Sequence, residues 1–272
     1  MPGLVRALAD RRAAGSPLVE LLGRVHLSLG PRVCCLSTGE ARLLAFLALR
    51  RGENDRRVVA GSLWPDVDET RAGGNLRSAL WRLNALPAPL VEVGRATVAL
   101  HASVLVDVRL LADWAARMIS GERDPADLRH APWDVGGVDL LPGWQDEWIL
   151  LERERLRQRL LHGLECMSTE LVQRGRCAEA VEIALIAVSA DGLRESAQRV
   201  LIEAHLAEGN WAEARRCFRA HSEMLERELG VPPSPHLAAL VAPPVTLRPR
   251  RGPGGRAALS VGAPGGRPVR HV

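Results

Sequence analysis

Residues 69–86 read Glu-Thr-Arg-Ala-Gly-Gly-Asn-Leu-Arg-Ser-Ala-Leu-Trp-Arg-Leu-Asn-Ala-Leu. At a helical turn of about 100° per residue, Leu76, Ala79, Leu80 and Leu83 share one face. The opposite face carries Arg71, Arg77, Ser78, Trp81 and Arg82. Arginine outside and leucine inside is what any surface helix shows. Two features set this one apart. From Arg71 to Leu86 there are three arginines and no acid, and Trp81 sits mid-face, where a solvated surface seldom places tryptophan. Trp81 is open to two other readings, a protein contact or a fold back onto the strands that follow. Pro87 and Pro89 end the helix. Gly73-Gly74 near its start should weaken or shorten it by roughly 1 kcal/mol per glycine.

Working outward, Ser37 with Glu40 three residues later forms a capping box that opens a helix through about Arg51. Leu43, Leu44 and Leu47 are its buried stripe and Gly52 ends it. Asp55 is the N-cap of a second helix, with Val59 and Leu63 on one face and Pro65 as its stop. Between Leu18 and Leu36 the chain reads as short strands. Val25, Leu27 and Leu29 alternate with His26 and Ser28, and Gly30-Pro31 makes a turn. Beyond the helices, Leu90–Val93 and Ala96–His101 form a hairpin joined at Gly94-Arg95. Small strands, three helices and a hairpin follow the order of a winged helix-turn-helix. Such a helix fits the major groove, where Arg bonds guanine or phosphate, and an Arg95-bearing hairpin tip reaches the minor groove.

The charge pattern agrees with that order. The 272 residues carry a net charge of +4, all of it from 36 arginines, with no lysine or tyrosine. Residues 1–101 are net +5, residues 102–240 net −7 and residues 241–272 net +6. A basic front suits a polyanion; an acidic middle would be repelled by one. All-arginine usage fits a GC-rich coding genome. With 47% hydrophobic and 25% charged residues, the composition is globular. Five cysteines, an odd number without a CxxC, argue against a disulfide framework and a zinc site; they read as small buried hydrophobes in a reducing cytosol. No segment reads as a membrane span or secretory signal, so a soluble cytoplasmic protein is expected.

The middle of the chain reads as helices. Asp107 caps a helix from Val108 to Ser120. Residues 121–143 form a Gly-, Pro- and Asp-rich loop, and a long helix runs from near Trp144 to about Arg174. Its outer surface carries Glu152, Arg153, Glu154 and Arg155. Helices follow at about 177–190, 193–208 and 211–229. Gly175-Arg176-Cys177-Ala178-Glu179-Ala180 aligns with Gly209-Asn210-Trp211-Ala212-Glu213-Ala214 at an offset of 34 residues, the tetratricopeptide period. Stacks of this kind bind proteins or one another. Ser234 caps a last short helix with Pro235 at its first position. The Pro-, Gly- and Arg-rich tail from residue 241 is expected to be disordered.

Leu63-Trp64-Pro65-Asp66, followed by Asn75-Leu76-Arg77-Ser78-Ala79-Leu80-Trp81-Arg82-Leu83, resembles the DNA-binding part of the Streptomyces antibiotic regulatory proteins. Glu226-Arg227-Glu228-Leu229-Gly230-Val231-Pro232-Pro233-Ser234-Pro235 resembles that family's bacterial transcriptional activation domain. The similarity covers about Leu18 to Leu240. It implies a mainly α fold with a small β component: an N-terminal extension (1–17), a winged helix-turn-helix (18–107), a tetratricopeptide-like helical domain (108–240) and a tail (241–272). It also implies an actinobacterial transcriptional activator, often of secondary-metabolite genes, that binds direct repeats in double-stranded DNA and contacts RNA polymerase. Dimerisation through the acidic helices is the other role open to them. The candidate DNA-binding residues are Arg71, Asn75, Arg77, Ser78, Trp81, Arg82 and Arg95. An added ATPase module and a preceding phosphoreceiver domain are not expected. Neither an enzyme, a cofactor, a metal nor a membrane is expected, since no HExxH, GxSxG or Cys-His grouping occurs. The alternative is a helical-repeat adaptor whose winged helix has lost DNA binding.

Overall fold

A computed structural model of the chain describes residues 15–128 and 139–242. The N-terminal extension up to residue 14, part of the expected loop (129–138) and the Arg-rich tail from 243 lie outside the described residues. The fold is mainly helical with two small sheets.

β1 (Pro17–Glu20), β2 (His26–Leu29) and β3 (Arg32–Cys34) form an antiparallel meander, and β7 (Leu105–Val106) joins β1 in parallel, with Val19 opposite Val106. Ser28, which alternates with the apolar residues of β2, is itself fully buried. β2 lies inside the sheet, and both of its faces are covered there, so the simple alternation fails. α1 (Thr38–Leu49) starts at Ser37, whose N–H donates to the Glu40 carboxylate at 3.0 Å. β4 (Asn54–Asp55) leads into α2 (Arg56–Leu63), where the Asp55 carboxylate accepts the Arg57 and Val58 N–H groups. α3 (Glu69–Asn84) runs without a break through Gly73-Gly74. The two glycines therefore do not shorten it: Leu76, Leu80 and Leu83 are buried and hold the helix by packing, which outweighs the propensity cost. β5 (Val91–Val93) and β6 (Thr97–Leu100) are the hairpin, and β4 completes their sheet.

α4 (Asp107–Ser120) starts one residue earlier than expected. Asp107 does not cap its own helix from outside. It lies in the first turn, buried, and accepts the N–H groups of Leu21 (2.9 Å) and Leu22 (3.0 Å) at the end of β1, besides that of Val108 (2.7 Å). Helix α5 (Glu147–Gln173) starts at Asp146. Arg153 was expected on its outer surface. Instead its guanidinium is half-buried and donates to the carbonyls of Leu140, Leu141 and Trp144, which pins the segment leading into the helix. α6 (Cys177–Ala190), α7 (Glu195–Ala207), α8 (Trp211–Leu229) and α9 (Pro235–Leu240) follow.

The 34-residue repeat is structural as well as sequential. Gly175 and Gly209 both take positive φ (74° and 84°). The next residue in each repeat bonds back five positions, Arg176 N–H to Leu171 O (2.9 Å) and Asn210 N–H to His205 O (2.8 Å). That is the helix-ending geometry that glycine permits. Ala180 and Ala214 are then fully buried, small enough to let α6 and α8 pack against the preceding helices. All five cysteines are free, but the expected burial does not hold: Cys35 is exposed and the other four are half-buried.

Candidate nucleic-acid interface

Asp68 starts α3 by accepting the Arg71 N–H at 3.0 Å. Ala72, Leu76, Ala79, Leu80 and Leu83 anchor the inner side against the core. The helical period then leaves the middle of the outer side to Gly74, Ser78 and Trp81. Trp81 is 74% exposed, so it neither folds onto the hairpin nor joins the core. Ser78 is occupied locally, its hydroxyl donating to the Gly74 carbonyl at 3.1 Å.

The structure brings Arg71, Asn75, Arg77, Ser78, Trp81 and Arg82 onto one exposed helical surface. Strand β5 packs against this helix, and Arg95 stands exposed at the hairpin turn. The arginines are not equivalent. Arg82 lies 3.5 Å from the nearly buried Glu40 carboxylate, and Arg71 lies 3.6 Å from Asp68. Arg77 and Arg95 make no ion pair among the described residues. Arg77 instead runs back along the helix, with its guanidinium nitrogens 3.8 Å from where side chains at Gly73 and Gly74 would begin.

A groove of about 410 Å3 opens between α2 and α3, lined by Arg56, Arg57, Glu69, Thr70, Leu76 and Arg77. Arg56 and Arg57 were missed from the sequence. They open α2 directly after the Asp55 N-cap, where the helix dipole disfavours positive charge. Arg57 has one acidic neighbour, Glu69, at 3.5 Å, and both side chains are largely solvated.

Residues 136–242 match the family of the bacterial transcriptional activator domain. Over 246 residues the chain is 30% identical to the regulatory protein AfsR of Streptomyces coelicolor, covering 85% of this chain and 24% of that protein. These matches agree with the resemblance to the Streptomyces antibiotic regulatory proteins. The chain spans about a quarter of the length of this curated relative. The fold is also that of Mycobacterium tuberculosis EmbR, solved in complex with a low-affinity phosphopeptide. The TM-score is 0.62 at 18% identity, covering 83% of this chain and 64% of that one. The antibiotic regulatory proteins are regulators of transcription and not a class of enzymes. Among the described residues, no group of three or more His, Cys, Asp and Glu side chains is placed to hold a metal ion. No helix among them is long and apolar enough to cross a membrane.

Proposed function

We propose that this chain is a sequence-specific DNA-binding transcriptional activator of a secondary-metabolite gene cluster. It binds direct repeats at a promoter through α3 and the β5–β6 hairpin, and it contacts RNA polymerase through other surfaces. The reading rests on one observation. The outer face of α3 presents Arg71, Asn75, Arg77, Trp81 and Arg82 to solvent, with no acid on the helix after Glu69. An α-helix inserted in the major groove needs such a surface: donors for base edges and phosphates, and no negative charge to meet the backbone. Arg56 and Arg57 add phosphate contacts beside the groove. The net −7 of residues 102–240 keeps the helical half away from DNA and leaves it to RNA polymerase or to a second copy of the chain.

The experiment is a gel-shift series at fixed salt with the full chain and the upstream regions of neighbouring genes. Arg77→Ala should weaken binding by about 1–3 kcal/mol if Arg77 reads a base, and should relax specificity at one position of each repeat. Arg57→Ala should weaken all sequences alike and reduce the salt dependence. Unchanged binding in both variants would remove α3 from the interface. The adaptor alternative drew on Gly73-Gly74, but these glycines lie inside an unbroken helix and lend it nothing.

A further inference from the structure

A second basic cavity lies away from the α2–α3 groove. It has a volume of about 280 Å3 and sits where the C-terminal end of α1 meets α4 and α5. Arg51, Arg109, Arg155 and Arg159 line it, with Glu152 as the lining acid and Leu49, Val108 and Leu156 as an apolar floor. Two of these guanidiniums are paired, Arg51 with Asp113 and Arg155 with Glu152. The other two have no carboxylate partner among the described residues. Arg109 donates from Nε to Ala48 O at 2.8 Å and from Nη2 to Leu47 O at 2.8 Å and Arg50 O at 3.2 Å. Its Nη1 keeps its N–H groups unassigned. Burial lowers the Arg109 pKa and the neighbouring charge of Arg51 lowers it further, with the Asp113 carboxylate opposing both. The fold thus holds like charges together in a half-enclosed site, an arrangement that an anion would relieve.

We propose that this cavity binds a small phosphate-bearing organic anion, up to about the size of a mononucleotide. The phosphate would sit against Arg155 and Arg159, whose planar forks match phosphate oxygens, with Arg109 adding only its Nη1 as a donor. The organic part would lie on Leu49, Val108 and Leu156. The volume is close to the roughly 300 Å3 lower bound of small-molecule sites. Because the walls come from α1 on the winged-helix side and from α4 and α5 on the helical side, a bound anion bridges the two.

The test uses the purified full chain, with adenosine monophosphate and inorganic phosphate as probes at constant ionic strength. The thermal midpoint should rise with the nucleotide and saturate, and equilibrium dialysis of labelled nucleotide should give one site per chain. Arg159→Glu and Arg155→Glu should each weaken nucleotide binding by about tenfold or more, as expected when a charge-assisted contact is reversed. Arg216→Glu, on a largely exposed side chain of α8, should leave it unchanged. A non-saturating rise that is equal in all variants overturns the proposal. So does equal affinity for phosphate and nucleotide, since the apolar floor would then hold nothing. A gel shift on the same variants without nucleotide separates this from the DNA reading. Lost DNA affinity with a reduced salt slope in Arg159→Glu makes these arginines DNA-phosphate contacts, overturning the anion site and leaving the DNA reading intact.

Discussion

Asp107 shows how one side chain joins two parts of the chain. Its carboxylate is fully enclosed and satisfies the Leu21 and Leu22 N–H groups that the sheet leaves over. Asp107→Ala would strand these buried donors, at a cost of about 1–3 kcal/mol; chemical denaturation would measure it. Burial raises the Asp107 pKa from 3.8 to about 6, against the backbone donors that oppose the shift. Between those two values the folded state holds the proton that the unfolded chain has released. The contribution of this group to stability is therefore full below about pH 4 and is lost as the pH rises through 6. His221, buried and held neutral with its pKa below the usual 6.5, works with the opposite sign, losing stability as the pH falls. Comparison with Asp107→Asn isolates the aspartate: the wild-type advantage should be larger at pH 5 than at pH 7, and an equal or smaller advantage would refute the assignment. On the proposed DNA face, Glu40 holds Arg82 near α1. Glu40→Gln should release it and change the salt slope of DNA binding, an effect the sequence hides because Glu40 reads only as a capping residue.

Individual elements were largely legible. The Ser37–Glu40, Asp55 and Ser234 caps and the repeat glycines all use local chemistry that needs no distant partner. In α3 the shortening expected from two adjacent glycines does not occur. Alanine at either position would meet only the end of the flexible Arg77 side chain, at 3.8 Å. Gly73→Ala and Gly74→Ala should each stabilise the protein by about 0.5–1 kcal/mol. Thermal melts that show a loss instead would mean the glycines serve a backbone constraint within the free protein. Gly163 in α5 is the opposite case. A Cβ there would stand 2.9 Å from the Trp114 ring and 3.2 Å from the Ala115 backbone of α4. Gly163→Ala should cost about 1–3 kcal/mol by overpacking, and an unchanged denaturation midpoint would show that α4 can move aside.

At the scale of the molecule, the core around Phe46 does not stop at Asp107. Leu140, Leu141 and Ile149 belong to the same buried cluster, and Trp148 meets the Phe46 ring edge-on at 5.1 Å. Arg42 adds a polar tie, donating to the Asp146 carboxylate at the start of α5 and to Leu63 O at the end of α2. A chain cut after Asp107 should therefore melt earlier and less steeply by circular dichroism than the full chain; an equal midpoint would show that the front half needs none of these contacts. The amino-acid sequence by itself determined the order of the elements, the basic outer face of α3 and the 34-residue repeat. Period, caps and turn residues act within a few positions of each other, so a linear reading captures them. Only the tertiary structure decided that Asp107 serves β1, that Arg153 turns inward, that Arg82 is held by Glu40 and that four arginines meet in one cavity. Each of these joins residues distant along the chain or lets a buried partner override the local pattern, and no spacing rule encodes which distant groups meet.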